Sequence, residues 1–205
     1  MENLVTVTIR STHHYLIDTG QGMLMIDPGW AGSLPELVNQ LQRYKIDLPQ
    51  IRFVMFTHHH PDHAGLTQEI KKASKARLII LEHQIPFLEN LTAFYAAKGG
   101  YEPVRIEAGD MILTPSNRAD LEKIGLLGAI VATPGHSDDS VSLVLDSGKA
   151  FTGDLHLPDM VQDEARAVTC QSWKTLLRLN TKMVFPGHGI PFPIEDIQQS
   201  LVVCE

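Results

Sequence analysis

Cysteine is scarce: Cys170 and Cys204 are the only two in 205 residues. They lack the spacing of a zinc site or a disulfide framework and read as buried or idle thiols, which suits a reducing, cytoplasmic setting. No apolar run approaches the roughly 18 residues of a membrane span, so no membrane association is expected. The N-terminus does not read as a signal peptide, because Glu2 is acidic and Thr6, Thr8 and Arg10 interrupt the apolar positions. Positive charge is also short: Lys plus Arg is 17, Asp plus Glu is 24, and the net charge is −7. Nucleic-acid binding needs clustered Lys and Arg. The one basic cluster, Lys71, Lys72, Lys75 and Arg77, reads as a solvated helix face, so a small molecule is the expected partner. A content of 43% hydrophobic and 20% charged residues excludes a disordered chain, and the length predicts one domain over residues 1–205.

Short strands and helices alternate along the chain. Val5, Val7 and Ile9 alternate with polar residues, as a half-buried strand requires. Residues 15–18 and 23–26 flank the turn Gly20-Gln21-Gly22, so the chain opens as an antiparallel meander. A helix follows, with Ser33 and Glu36 at capping-box spacing and an apolar stripe of Leu34, Leu37, Val38, Leu41 and Tyr44. Residues 51–57 form a nearly continuous apolar run, expected of a buried central strand. A helix over 62–75 and a strand over 77–81 come next. Residues 83–120 are irregular, with a helical stretch broken at Gly99-Gly100; they fit a flap over a site or a helix and hairpin that complete the fold. Strands are then expected over 129–133, 141–145, 149–152 and 183–185. A helix over 169–179 should turn Trp173, Leu176 and Leu177 inward, and a last helix should begin near Pro193. The mixture favours an α/β (α+β) fold: two packed sheets with helices outside, or one mixed sheet.

Histidine, by contrast, is plentiful, with ten in the chain. Residues 57–65 read Thr-His-His-His-Pro-Asp-His-Ala-Gly, directly after a strand. In an extended loop, positions two apart share a face, so His58 and His60 can meet one metal while Asp62 and His63 aim at a second point nearby. Imidazole nitrogen and carboxylate oxygen suit zinc, and also iron or manganese. Four other strands end at a comparable residue: Asp27, His136, Asp154 and His188. Gly135, Gly153 and Gly187 precede the last three, where the backbone must leave a strand sharply. His59 has the wrong parity to face the metal and reads as loop packing. His13, His14 and His83 carry no motif and read as solvated or core histidines. His156, two residues after Asp154, is a candidate for the wall of a substrate cleft.

This order of motifs resembles the metallo-β-lactamase-fold hydrolase superfamily: Asp27 after a strand, His58-x-His60-x-Asp62-His63, His136, Asp154 and His188. The resemblance implies a four-layer αββα sandwich with metals at one edge between the sheets. It implies that His58, His60 and His136 hold one metal ion and that Asp62, His63 and His188 hold a second. Asp154 would bridge the two, and Asp27 would be an outer carboxylate that steadies the ligand loop. Two divalent ions, zinc first and iron or manganese next, would then act through a shared hydroxide, with Asp62 orienting it and moving a proton. An acidic residue at 154 points away from true β-lactamases and toward glyoxalase II-like thioesterases, lactonases and phosphodiesterases. With seventeen residues after His188, the helical glutathione-binding domain of glyoxalase II is not expected. The basic surfaces of the family's nucleases are not found. A small ester, thioester or lactone is therefore the expected substrate. A persulfide dioxygenase using one iron, and a metal-binding module without catalysis, remain as alternatives.

Overall fold

The structure, a computed structural model, describes residues 3–204. Strands β1 (Leu4–Ile9), β2 (Thr12–Asp18) and β3 (Met23–Ile26) form the expected antiparallel meander. Strands β4 (Ile51–Met55), β5 (Arg77–Leu81) and β6 (Met111–Leu113) extend it in parallel, giving a six-stranded mixed sheet in chain order. The second sheet holds β7 (Gly128–Ala132), β8 (Val141–Leu145), β9 (Lys149–Gly153), β10 (Met183–Pro186) and β11 (Phe192–Pro193), ordered β11-β10-β9-β8-β7. Here β9 and β10 are parallel and the other neighbours antiparallel.

Side-chain alternation builds the layers. In β2, Tyr15 and Ile17 face the second sheet while Leu16 faces outward; in β5, Ile79 and Leu81 face in while Leu78 and Ile80 face out. From the other sheet, Leu143, Leu145 and Phe151 meet them in the inter-sheet core. The outer face of the first sheet is covered by helices α1 (Leu34–Gln42), α2 (Pro61–Ala64) and α3 (Thr67–Ser74), through Leu37, Leu41, Ala64 and Ile70. Two further helices, α4 (Asn90–Tyr95) and α5 (Arg118–Lys123), occupy the irregular region, which also contributes edge strand β6. The outer face of the second sheet is covered by α6 (Asp163–Arg178), through Trp173 and Leu176. Helix, sheet, sheet and helix thus stack as expected.

Several details differ from the sequence expectation. The helix over 62–75 is interrupted at Gly65, and α6 begins six residues earlier than expected. Leu177 is 40% exposed, because the helix buries Thr169, Ser172, Trp173 and Leu176 instead. Tyr44 lies beyond α1 and is exposed. Ser33 does not cap α1; its hydroxyl donates to the Trp30 carbonyl at 2.7 Å. The chain end forms two short 3-10 turns, Ile194–Ile197 and Ser200–Cys204, where one helix was expected. Lys71 is not on a solvated face. It is buried, and its ammonium donates to Asp110 Oδ2 and the Arg105 carbonyl, both at 2.6 Å. Cys170 and Cys204 are joined in a disulfide, since the chain end folds back along α6. That pairing removes the free-thiol argument for a reducing compartment. No helix among the described residues is long and apolar enough to cross a membrane.

Candidate metal centre

The carboxyl ends of β3, β4, β9 and β10 and the loop after β7 open on one edge of the sandwich. Hydrogen bonds hold that edge together: Val141 N–H to Thr57 O at 2.8 Å and Tyr15 O–H to Pro186 O at 2.6 Å join the two sheets, and Gly187 N–H to Gly153 O at 2.7 Å continues the β9–β10 pairing within the second. The loops bring together all seven of the predicted donors, His58, His60, Asp62, His63, His136, Asp154 and His188. Three overlapping sets have their donor atoms within 4.8 Å of one another: His58, His60 and His136; His58, His63 and Asp154; and Asp62, His63 and His188.

Asp154 sits among the imidazoles. Its Oδ1 is 3.3 Å from His63 Nε2, and its Oδ2 is 3.5 Å from His188 Nε2, 3.7 Å from His136 Nε2 and 3.9 Å from His58 Nε2. Asp62 Oδ2 lies 3.2 Å from His188 Nε2 and 3.5 Å from His63 Nε2, and it accepts a hydrogen bond from Thr12 Oγ1 at 3.2 Å. His60 Nδ1 and His136 Nε2 face each other at 3.0 Å. Gly187 is required by this crowding: a Cβ there would stand 2.6 Å from both Asp154 Oδ1 and His63 Cε1.

The outer nitrogens of His58, His63 and His188 are anchored, which aims the inner ones. Asp27, buried at the end of β3, accepts from the Thr57 N–H at 2.6 Å and from His63 Nδ1 at 3.0 Å. The Thr57 hydroxyl donates to the same carboxylate at 2.9 Å and stands 3.1 Å from His58 Nδ1. One carboxylate therefore orients His63 directly and His58 through Thr57, which are outer contacts of the kind that fix ligand geometry. His188 Nδ1 donates to the Ser11 carbonyl at 2.7 Å. His59 turns away, as its parity predicts, and bonds the Phe87 carbonyl at 2.7 Å.

Charge follows the same plan. Burial pushes His58 well below the ordinary imidazole range, and the neighbouring histidines add to that. Burial lowers His136 as well. Burial opposes ionisation of Asp154, but the histidines, His63 foremost, hold its carboxyl below the ordinary range. His63 is the exception: burial lowers it, yet Asp27 and Asp154 outweigh burial and raise it to about 10. The two carboxylates demand a positive charge at that point. His58 Nε2, His63 Nε2 and Asp154 Oδ1 are buried without hydrogen-bond partners, a costly arrangement unless a cation satisfies them. Unpaired nitrogens and a carboxylate oxygen converging on one place fit divalent metal.

Several supporting residues carry no sequence motif. Asp139 is buried and ties two ligand loops together: Oδ2 accepts from the His59 N–H at 2.7 Å and Oδ1 from the Ser137 hydroxyl at 2.8 Å. Helix α6 frames the His136 loop, since the Ser172 hydroxyl donates to the Pro134 carbonyl at 2.6 Å. Trp173 Nε1 donates to the His156 carbonyl at 2.7 Å, and the His156 ring meets the His136 ring edge-on at 5.0 Å. His13 and His14 do have a role here: His13 bonds the Gly189 carbonyl, and buried His14 bonds the Asp27 carbonyl. Half-buried His83 stays outside the donor sets.

Two clefts flank the donors. One, of about 500 Å³, runs along His60, His136, Asn90, Asp138 and the rings of Phe87 and Phe94. The other, of about 460 Å³, lies beside Asp154 and His188 and includes His156 in its wall.

Known proteins share this plan. A model of the metallo-beta-lactamase superfamily matches residues 7–188. The beta-lactamase-like protein 2 homolog of Caenorhabditis elegans is 27% identical over 191 residues, which cover 89% of this chain and 57% of that protein. This chain thus spans little more than half of that relative's length. A probable metallo-hydrolase of Methanocaldococcus jannaschii is 28% identical over 199 residues, 87% of this chain and 88% of its own. Among solved structures, a metallo-beta-lactamase family protein of Thermus thermophilus superposes with a TM-score of 0.71, covering 99% of this chain and 77% of that one, at 21% identity. At that identity the likeness is one of fold. With the match over residues 7–188 and the histidine–aspartate donor sets at the sheet edge, this chain belongs to the metallo-beta-lactamase superfamily.

Proposed function

We propose that the chain hydrolyses a small ester, thioester or lactone at a two-metal centre, with His58, His60 and His136 holding one ion, Asp62, His63 and His188 the other, and Asp154 shared. The observation that carries this reading is the set of three overlapping donor groups with Asp154 among four imidazoles. Zinc suits the nitrogen-rich set best; iron and manganese also suit it. When bound, such ions polarise the substrate's carbonyl and make water a nucleophile near neutral pH. The chain's residues do the rest. Asp27 and the Thr57 hydroxyl keep the inner nitrogens of His63 and His58 free to donate. Asp62 is steadied by Thr12, holds the attacking water by one carboxylate oxygen and takes its proton. The flanking clefts accept the acyl and leaving groups.

Metal analysis of protein purified without chelators, combined with a substrate panel and an oxygen electrode, tests this. Two ions per chain with turnover of an ester, thioester or lactone and no oxygen uptake is the expected result. One ion at saturation rejects the two-metal assignment. Iron alone, with oxygen consumed on a persulfide, replaces hydrolysis by oxygenation. Metal binding without turnover of any ester, thioester, lactone or phosphodiester leaves a binding module.

A further inference from the structure

The two most exposed large apolar side chains among the described residues are Ile190, 81% exposed, and Met160, 74% exposed. They do not lie at unrelated places. Both line the cleft of about 460 Å³ whose inner end is formed by Asp154 and His188. Leu157 and Phe192 complete its apolar walls, and Asp154 is the only Asp, Glu, Lys or Arg among its lining residues. We infer that this cleft binds the apolar acyl chain of an uncharged ester or thioester, with Met160 and Ile190 as the residues that set chain-length preference; this rests on the hydrolase reading above.

Three observations favour that occupant. The cleft opens directly onto proposed metal donors, so a chain lying in it has its carbonyl at the centre. Away from the metal donors its lining holds no Lys or Arg, so an anionic substituent carried along the chain would be desolvated without compensation. Its walls are also preformed. Leu157 and Phe192 pack on the core beneath α6, and the Trp173 indole holds the His156 carbonyl at 2.7 Å. The 3-10 turn Pro158–Met160 packs against Ser200–Cys204, which the Cys170–Cys204 disulfide ties to α6. A pocket whose base and backbone are already fixed leaves only the exposed Met160 and Ile190 side chains to be ordered by a ligand, which keeps the entropy cost of binding confined to those two. The opposite cleft, with Asn90, Ser137 and Asp138, then receives the polar alcohol or thiol portion.

The test separates the cleft from the chemistry. Metal-loaded protein carrying ¹³C-methyl methionine is titrated with straight-chain 2-alkanones, butanone to decanone, which have the carbonyl and the chain but no scissile bond. The Met160 methyl signal, assigned by its loss in Met160→Ser, should shift, and affinity should rise about fourfold per methylene before it levels off. Met160→Ser and Ile190→Ser should each flatten that slope, and both side chains are exposed enough for the fold to survive. In parallel, kcat/KM is measured on acetyl to octanoyl thioesters, where the same slope is expected. If the ketones bind with the slope but no ester, thioester or lactone turns over, the hydrolase reading fails and the cleft stands. If turnover occurs but neither affinity nor kcat/KM depends on chain length, the cleft assignment is wrong. It is also wrong if the Met160 signal follows protein concentration rather than ketone, since the patch is then an interface between copies.

Discussion

Asp27→Asn is the sharpest probe of how the centre is aimed. Asp27 accepts three donors: the Thr57 N–H at 2.6 Å, the Thr57 hydroxyl at 2.9 Å and His63 Nδ1–H at 3.0 Å. The asparagine fits the space, and its backbone tolerates the φ of 55° at this position. Its amide has one acceptor oxygen. The Thr57 N–H cannot change its role, so the oxygen turns to it and the NH₂ takes the place beside His63. His63 must then accept at Nδ1, which moves its proton to Nε2, the atom that faces Asp62 and Asp154. To bind metal through Nε2, the ring must give up that bond or set two donors against each other. A buried hydrogen bond to a charged group is worth about 1.5–3 kcal/mol, so affinity for the ion at His63 should fall about 10- to 150-fold. Chelator competition measures the affinity, and long-range ¹H–¹⁵N correlation on the zinc-loaded protein, where His63 carries one proton, shows whether that proton is on Nδ1. Asp27→Ala is less informative, because it strands all three buried donors at about 1–3 kcal/mol each. If Asp27→Asn keeps the Nδ1–H tautomer at His63 and wild-type metal affinity, the carboxylate does not set the ring and the reasoning fails.

Other variants test separate parts of the structure. Asp154→Ala should weaken both ions together, whereas His59→Gln should lower stability and leave stoichiometry unchanged, as metal titration will show. Asp62→Asn, assayed with occupancy measured in the same preparation, should lower kcat by about 10²- to 10⁴-fold with little change in KM; a wild-type rate with both ions bound removes Asp62 from catalysis. Lys71→Ala leaves the buried Asp110 carboxylate without its cation and should cost about 3–5 kcal/mol in urea unfolding. Reducing the Cys170–Cys204 disulfide, which closes a 34-residue separation, should cost about 3.8 kcal/mol by loop entropy; an unchanged urea midpoint after reduction would contradict this.

The donor set was legible because each donor carries a local signature. His58, His60, Asp62 and His63 crowd one loop, and His136, Asp154 and His188 each follow a glycine at a strand end. Short buried strands such as 23–26 and 141–145 were legible for a similar reason: their apolar runs are bounded by turn residues. Contacts that depend on distant partners left no such trace. Lys71 looks like its solvated neighbours until Asp110, 39 residues away, is folded against it. Cys170 and Cys204 read as separate thiols because the return of the chain end along α6 is set by packing. His14, with no motif, supports the Asp27 carbonyl only once β2 lies beside β3.

Helix α6 shows how such hidden contacts bear on function. Its buried face carries Thr169, Ser172 and Trp173, a stripe with polar atoms among the apolar ones. The sequence predicts only the part over 169–179, because the first turns, Asp163–Val168, bury no side chain and so leave no apolar stripe. Each polar atom on the buried face has a partner. Thr169 packs where a Cβ on Gly135 would stand 2.6 Å from its hydroxyl. Ser172 bonds the Pro134 carbonyl, and Trp173 bonds the His156 carbonyl. Gly135 at φ 145° is thus the residue that lets the His136 loop lie flat on α6. A purely apolar α6 would still cover the sheet, but it would leave the Pro134 carbonyl unpaired and the His136 loop unpinned. The Ser172 bond joins the helix that covers the sheet to the loop that carries His136, so one stripe serves both the packing of the sandwich and the placement of an imidazole.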